Sequence, residues 1–191
     1  MLMNNMKVSK NNHPIILIFF IFNITLLLII YFLTTKGIFI QIGVPGLQHH
    51  YINGIFLFSA LISGILLIHY KFHDKGLTFI AIFLSLFISF FVMMYGLLIF
   101  DAKYTTFSSP NKQVHFVVIE TGHGDIYQMS NTGLFITHLA SIRTDDGFQP
   151  FNKGAYRLEW KSGNTLMIKY GFYAQSPLKD YHEMTVTYYL H

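Results

Sequence analysis

The chain has 191 residues, of which 52% are apolar and only 12% charged. A soluble domain carries about 25% charge, so the composition excludes an ordinary soluble protein and points to the bilayer. The net charge of +4 is no sign of nucleic-acid binding. Beyond Ala102 the Lys and Arg residues are nearly balanced by Asp and Glu and form no basic run, whereas phosphate binding wants clustered cations. Cysteine is absent, which excludes disulfides, thiolate catalysis and cysteine metal sites together.

Met1 to Pro14 is short and polar, with Lys7 and Lys10, and reads as a cytoplasmic tail (1-14). The apolar run Ile15 to Thr34 follows. It is longer than a signal-peptide core and ends in Thr34-Thr35-Lys36-Gly37, a poor cleavage site. The expectation is an uncleaved first span, 15-34. Asn23 near its middle predicts a hydrogen bond between helices, with a polar functional site as the alternative.

Gly37 to His50 reads as a loop with Pro45 and Gly46; its apolar piece Ile38 to Val44 is too short to span and is expected in the interface or against the helices. The second span is 51-70. Ser59 with Ser63, and Ala60 with Gly64, stand four apart and let helix backbones approach closely. Lys71 to Gly76 is a tight connection. The third span, 77-100, carries no charge and no proline; Ser85 and Ser89 repeat the four-residue spacing. Together 15-100 reads as a three-helix membrane domain. Lys7, Lys10, Lys71 and Lys75 against Lys36 alone place the N-terminus and the second loop in the cytoplasm by the positive-inside rule. Three crossings then put the C-terminal region outside.

After Phe100 the composition changes to polar, aromatic and turn-rich sequence, expected as an extracytoplasmic β domain over 101-191. Strands are expected at Tyr104 to Phe107, Val114 to Glu120, Ile126 to Met129, Leu134 to Leu139, Tyr156 to Trp160, Leu166 to Tyr170 and Met184 to Leu190. Turns separate them at Gly122-His123-Gly124, Asn131-Thr132-Gly133 and Lys161-Ser162-Gly163-Asn164. Ser141 to Gly154 reads as a long polar segment and Gly171 to His182 as irregular. Tyr156, Leu158 and Trp160 alternate with Arg157 and Glu159, so one sheet face is buried. The fold class is therefore membrane α-helical, three transmembrane helices, followed by an all-β antiparallel sandwich or small barrel. Tyr181, Tyr188 and Tyr189 are candidates for the membrane interface, with ordinary sheet packing as the alternative.

No stretch carries a specific catalytic or ligand-binding signature. The ten histidines scatter without the spacing of a metal set, and neither a metal nor a cofactor is expected. His123 and Asp125 project from one turn and can chelate; a polar hairpin tip is the plainer reading. Asp145, Asp146 and Glu120 are candidate carboxylates for acid–base work, although Asp145-Asp146-Gly147 is also common turn composition. Ser108 and Ser109 lack the context of an activated nucleophile. The spans hold no ionisable residue apart from terminal His69, which argues against a pump or channel.

Phe107-Ser108-Ser109-Pro110 and the stretch from Thr144-Asp145-Asp146-Gly147 through Tyr156-Arg157-Leu158-Glu159-Trp160 resemble small membrane proteins of Gram-positive bacteria with a few spans and a C-terminal β domain. The resemblance covers the last part of the chain. It implies a similar β module and assigns no activity or site residue.

The expected function is a membrane-anchored extracytoplasmic binding or accessory module. Its recognition surface is expected at Gly122 to Asp125 and Ser141 to Gly154, hence at His123, Asp125, Asp145 and Asp146. Partners would be the lipid bilayer and another envelope or membrane protein, not nucleic acid; an immunity-type protein is one form of this. An envelope enzyme acting on a wall or lipid substrate, and a purely structural membrane subunit, are the alternatives.

Overall fold

The computed structural model of the chain describes residues 13–41, 48–99, 102–161, 163–173 and 181–190. The polar tail before His13, Pro45-Gly46 and Ser162 lie outside these. The chain divides into a helical unit and a β unit, the second taking up 32–51 and 96–191.

Three long helices form where the apolar runs predict them: α1 His13–Thr35, α2 Gln48–Phe72 and α3 Lys75–Ile99. Each holds a segment long and apolar enough to cross a membrane, 22 residues in α1, 21 in α2 and 23 in α3. A helix rises 1.5 Å per residue, so each exceeds or matches the roughly 30 Å hydrocarbon layer. The small-residue face of α2 packs as expected. Ala60 and Ser63 are buried, and a Cβ placed on Gly64 would stand 3.3 Å from the Phe20 ring of α1. Ser63 turns its hydroxyl back to the carbonyls of Ser59 and Ala60. Asn23 is buried too, but its amide donates to Phe19 O of its own helix at 2.7 Å, where a bond between helices was expected.

The α2–α3 connection is as tight as Lys71 to Gly76 suggests. His73 leaves α2 with φ 52°, and Asp74 Oδ1 accepts the N–H groups of Gly76 (2.7 Å) and Leu77 (3.1 Å). That satisfies two of the orphan donors at the start of α3.

Among its described residues the β unit has eight strands: β1 Ile38–Ile40, β2 Lys103–Ser108, β3 His115–Glu120, β4 Gly124–Met129, β5 Phe135–Ile142, β6 Tyr156–Lys161, β7 Thr165–Gly171 and β8 Tyr181–Thr187. They form two antiparallel sheets, ordered β1-β5-β4-β3-β2 and β6-β7-β8. The sheets do not close into a barrel. Three expectations of the β unit need correction, the first being the last strand, which is Tyr181–Thr187 and not Met184 to Leu190, so that it begins inside the stretch Gly171 to His182 that reads as irregular. Ile38 to Ile40 is not loop: it pairs with β5, Ile38 opposite Thr137 and Ile40 opposite Phe135. And β5 runs on to Ile142 instead of stopping at Leu139, because a bulge lets Ile126 pair Ala140 while Tyr127 pairs His138. The extra residue restores the alternation that points Ile142 inward.

The main core lies between the sheets. Val118, Ile126 and Ile142 from the larger sheet meet Leu166, Ile168, Tyr170 and Val186 from the smaller one. Burying each aliphatic side chain is worth about 1.5–3 kcal/mol. A series of rings continues this core along one side. Phe107 stacks on Phe116 (centroids 5.2 Å apart), Phe151 on Tyr156 (4.4 Å), and Tyr188 meets both Phe116 (5.5 Å) and Trp160 (5.9 Å) edge-on. On the opposite face of the larger sheet Val117, Tyr127 and Ile136 are buried with Phe39 and Tyr104 beside them. The outer face of the smaller sheet is polar. Lys169 bridges Glu159 (3.1 Å) and Glu183 (3.2 Å) across its three strands.

Buried Gln128 ties the segment after β8 back to β4: its Nε2 donates to Tyr189 O (2.6 Å) and its Oε1 accepts Tyr189 N–H (2.9 Å). Replacing Gln128 with Ala is expected to lower the unfolding free energy by about 1–3 kcal/mol, since two hydrogen bonds are lost. Trp160, the sole tryptophan, reports the transition by fluorescence in the detergent-solubilised full chain. An unchanged transition would mean that ring packing alone holds the terminal segment.

Candidate functional site

The two ends of the β unit differ. At one, the root, β2 begins, and there Lys103 pairs Glu120, Glu120 pairs Gly124 and Gly124 pairs Ile142. The other end, the tip, carries the Asn131-Thr132-Gly133 hairpin and the Tyr189–Gln128 contact. The predicted site residues gather at the root.

The hairpin turn after β3 and the short 3-10 turn over Asp145–Gly147 come close together. Gly122 takes φ 99° and Gly147 φ 68°, and a Cβ on Gly147 would stand 3.8 Å from Gly122 Cα. The Asp145 N–H donates to Phe172 O (3.1 Å), and Thr144 Oγ1 donates to Phe148 O (2.6 Å), which fix the second turn. Asp145 is exposed; the side chain of Asp146 lies outside the described positions.

Asp125 is the centre of a small polar cluster. Its neighbour in sequence, Ile126, points into the main core, so alternation turns Asp125 to the other face of β4. There Ser141, its partner across the β4–β5 ladder, donates its hydroxyl to Asp125 Oδ1 at 2.6 Å. His138 Nε2 stands 3.1 Å from Ser141 Oγ and 3.4 Å from Asp125 Oδ1. His123 Nε2 is 4.0 Å from the other oxygen, Oδ2. Tyr127 packs edge-on against the His138 ring. Burial, then the Asp125 charge, then Tyr104 push the Tyr127 phenol above its ordinary range.

The cluster contains Ser, His and Asp, yet the connectivity is not that of a nucleophile relay. The serine proton points at the carboxylate, so the imidazole Nε2 is left to donate to Ser141 Oγ instead of accepting from it. A base that activates serine must do the reverse. Among the described residues no group of three His, Cys, Asp or Glu side chains could hold a metal ion. His69 and His73 do stand four apart, a spacing the view of scattered histidines overlooked, but His73 has already left α2.

Glu120 is nearly inaccessible and serves the fold. Its Oε1 accepts Phe151 N–H (3.0 Å) and its Oε2 accepts Asn152 N–H (2.8 Å), pinning the turn that inserts Phe151 into the core. Ser109 is also structural: it is buried and its Oγ accepts Val114 N–H at 3.0 Å. Ser108 bonds His115 Nδ1 at 2.8 Å, toward the tip. Sequence reasoning missed His138 and Ser141. The signal that finds them is register: once β4 and β5 are paired through the bulge, Ser141 must face Asp125.

No family model matches this chain, no curated protein matches it and no solved structure matches it.

Burial raises the Glu120 pKa above 4.5, and the N–H groups of Phe151 and Asn152 pull it part of the way back. The folded chain thus holds this proton to higher pH than the unfolded chain does. Its contribution is most favourable below pH 4.5 and is lost as pH rises through the raised pKa. The stability of wild type relative to Glu120→Gln is expected to fall over that window in urea titrations at stepped pH. A rise would show that the two N–H bonds outweigh burial.

Proposed function

We propose that this protein is a multi-pass component of a cell envelope whose three helices span the membrane and hold the β unit outside, where it binds a partner and performs no chemistry of its own. The observation that carries the binding reading is the state of the candidate catalytic groups. Asp125 is engaged by Ser141 and His138, Ser141 directs its proton away from the imidazole, and Glu120 holds backbone amides. Asp125, Ser141 and Glu120 are thus employed in fixing the fold at this end of the unit. Two turns at this end, Gly122 to Asp125 and Asp145 to Gly147, lie side by side and form the recognition face of this reading.

Pairing between β1 and β5 supports the spanning arrangement. Residues 38–40 and 135–137 share one sheet and must be on the same side of any membrane. Two helices, α2 and α3, separate them in sequence, and two crossings return the chain to the side it left. Lys7, Lys10, Lys71 and Lys75 then assign the opposite side to the cytoplasm.

The chain has no cysteine, so Asn131→Cys at the exposed tip hairpin is a clean reporter. An impermeant maleimide is expected to label it in intact cells; labelling only after lysis would place the β unit in the cytoplasm. A photocrosslinking residue at His123 or Asp145 is expected to give a discrete adduct in cells of the source organism. The same residue at Lys169, on the polar outer face, serves as the control. Equal crosslinking at all three would remove the recognition face.

A further inference from the structure

The helical unit carries a charged feature of its own. Between α2 and α3 the chain turns within Lys71-Phe72-His73-Asp74-Lys75-Gly76, and every residue of this turn is exposed. Its one acid is committed. Asp74 Oδ1 accepts the N–H groups of Gly76 and Leu77 at the start of α3, and Thr78 Oγ1 donates to the Asp74 carbonyl at 2.7 Å. The two ammonium groups are not committed in this way. Among the described residues neither Lys71 nor Lys75 forms an ion pair with an Asp or Glu. Lys71 Nζ stands 5.5 Å from the ring centroid of Phe72, itself 56% exposed, which holds the ammonium beside an apolar ring at the end of α2. Helix stability does not account for both lysines. Lys71 lies in the last turn of α2, where the helix dipole favours a cation, but Lys75 opens α3, where it disfavours one. A cation in that place gains more from an outside anion than from its own helix.

Charge asymmetry says which anion. α1 starts at His13 and α2 ends at Phe72, so with both as spans these two ends fall on one side of the membrane. The sequence before His13 adds Lys7 and Lys10 and contains no Asp or Glu. Four lysines thus border that side against Asp74 alone, whereas Lys36 is the single cation beside the opposite end of α1. A cluster of about four or more such cations immediately beside spans favours anionic lipid.

We propose that the α2–α3 turn, through Lys71 and Lys75, is a contact surface for the headgroups of anionic phospholipids, with Lys7 and Lys10 adding to the same charge. The inference rests on the reading of the three helices as spans. The lysines then do more than orient the chain: their ammonium groups meet the headgroup phosphates at the level where the two spans turn. The occupant is a lipid with net negative charge, phosphatidylglycerol being a simple example. A zwitterionic headgroup brings a cation of its own and returns little of the attraction.

The test uses the full chain reconstituted in phosphatidylcholine vesicles that contain a minor share of phosphatidylglycerol. Each lipid in turn is supplied with a nitroxide deep on its acyl chain, and electron paramagnetic resonance measures the fraction slowed by contact with the protein. Labelled phosphatidylglycerol is expected to associate several-fold more strongly than labelled phosphatidylcholine, and the preference is expected to fall as salt is raised. Lys71→Gln combined with Lys75→Gln is expected to remove most of the preference, and Lys36→Gln to leave it in place. An unchanged slowed fraction of phosphatidylcholine shows that the double variant still sits in the bilayer. Equal association of both lipids with the wild type, an undiminished preference in the double variant, or an equal loss on Lys36→Gln overturns the lipid-contact surface while leaving the spans intact. Absence of a slowed fraction for either lipid overturns the spanning reading and this inference with it.

Discussion

The pairing of β1 with β5 is the constraint on which the arrangement of this chain depends. Only three residue pairs make it, Ile38 with Thr137, Phe39 with Ile136 and Ile40 with Phe135. They belong to segments almost a hundred positions apart, one between α1 and α2 and the other deep in the β unit. The contact closes a very long loop, and the entropy of closing it grows only slowly with length. A short strand can therefore hold it if the register is well defined. Gly37 helps define it: with φ 71° it turns the chain out of α1 and its carbonyl accepts His138 N–H at 2.8 Å. A Cβ there would be 3.5 Å from His138 Cβ, ordinary contact, so the conformation is the stronger reason for glycine.

Once β1 covers the edge of β5, the larger sheet has two faces to bury, and its residues divide along the pleat. Val118, Ile126 and Ile142 go to the core shared with the smaller sheet; Val117, Tyr127 and Ile136 go to the other face. Near-continuous apolar β3, Phe116-Val117-Val118-Ile119, follows from this. A strand buried on both sides loses the polar alternation of a solvated one. The smaller sheet keeps that alternation, with Glu159, Lys169 and Glu183 linked on its wet face. The Lys169 ammonium, then the Lys161 ammonium, hydrogen-bond Glu159 and lower its pKa, but exposed pairs like these add little stability. The core and the Gln128 amide hold the two sheets together.

The helices and most strands were legible because their signals are local. Hydrophobic length marks a span, and alternation from Tyr156 to Trp160 marks a strand with one buried face. What was not legible depends on partners distant in sequence. Ile38 to Ile40 has no alternation long enough to show a strand; it is one because β5 offers an edge. The end of β5 was misplaced because the bulge shifts the phase of the inward residues between Leu139 and Ile142. Asp125 was picked out with His123, its neighbour in the turn, while its closest partners came from β5. The open turn composition of Asp145-Asp146-Gly147 did predict its local structure, a single 3-10 turn.

Glu120 shows why acid residues in such a unit are poor guides to chemistry. A turn that enters a core leaves backbone N–H groups without strand partners, and a buried amide cannot go unsatisfied at low cost. One carboxylate has two oxygens and can accept both, as Glu120 does for Phe151 and Asn152. A neutral side chain of similar size offers a single acceptor oxygen and leaves one amide unmet. The carboxylate carries a desolvation cost for this, visible in its raised pKa, and in return Phe151 stays seated between Phe107 and Tyr156. Asp125 follows the same logic on the opposite face, where it orders Ser141 and His138 beside the junction with β1. Glu120 and Asp125 are therefore committed to the shape of the root, one to a turn that enters the core and the other to the β4–β5 ladder.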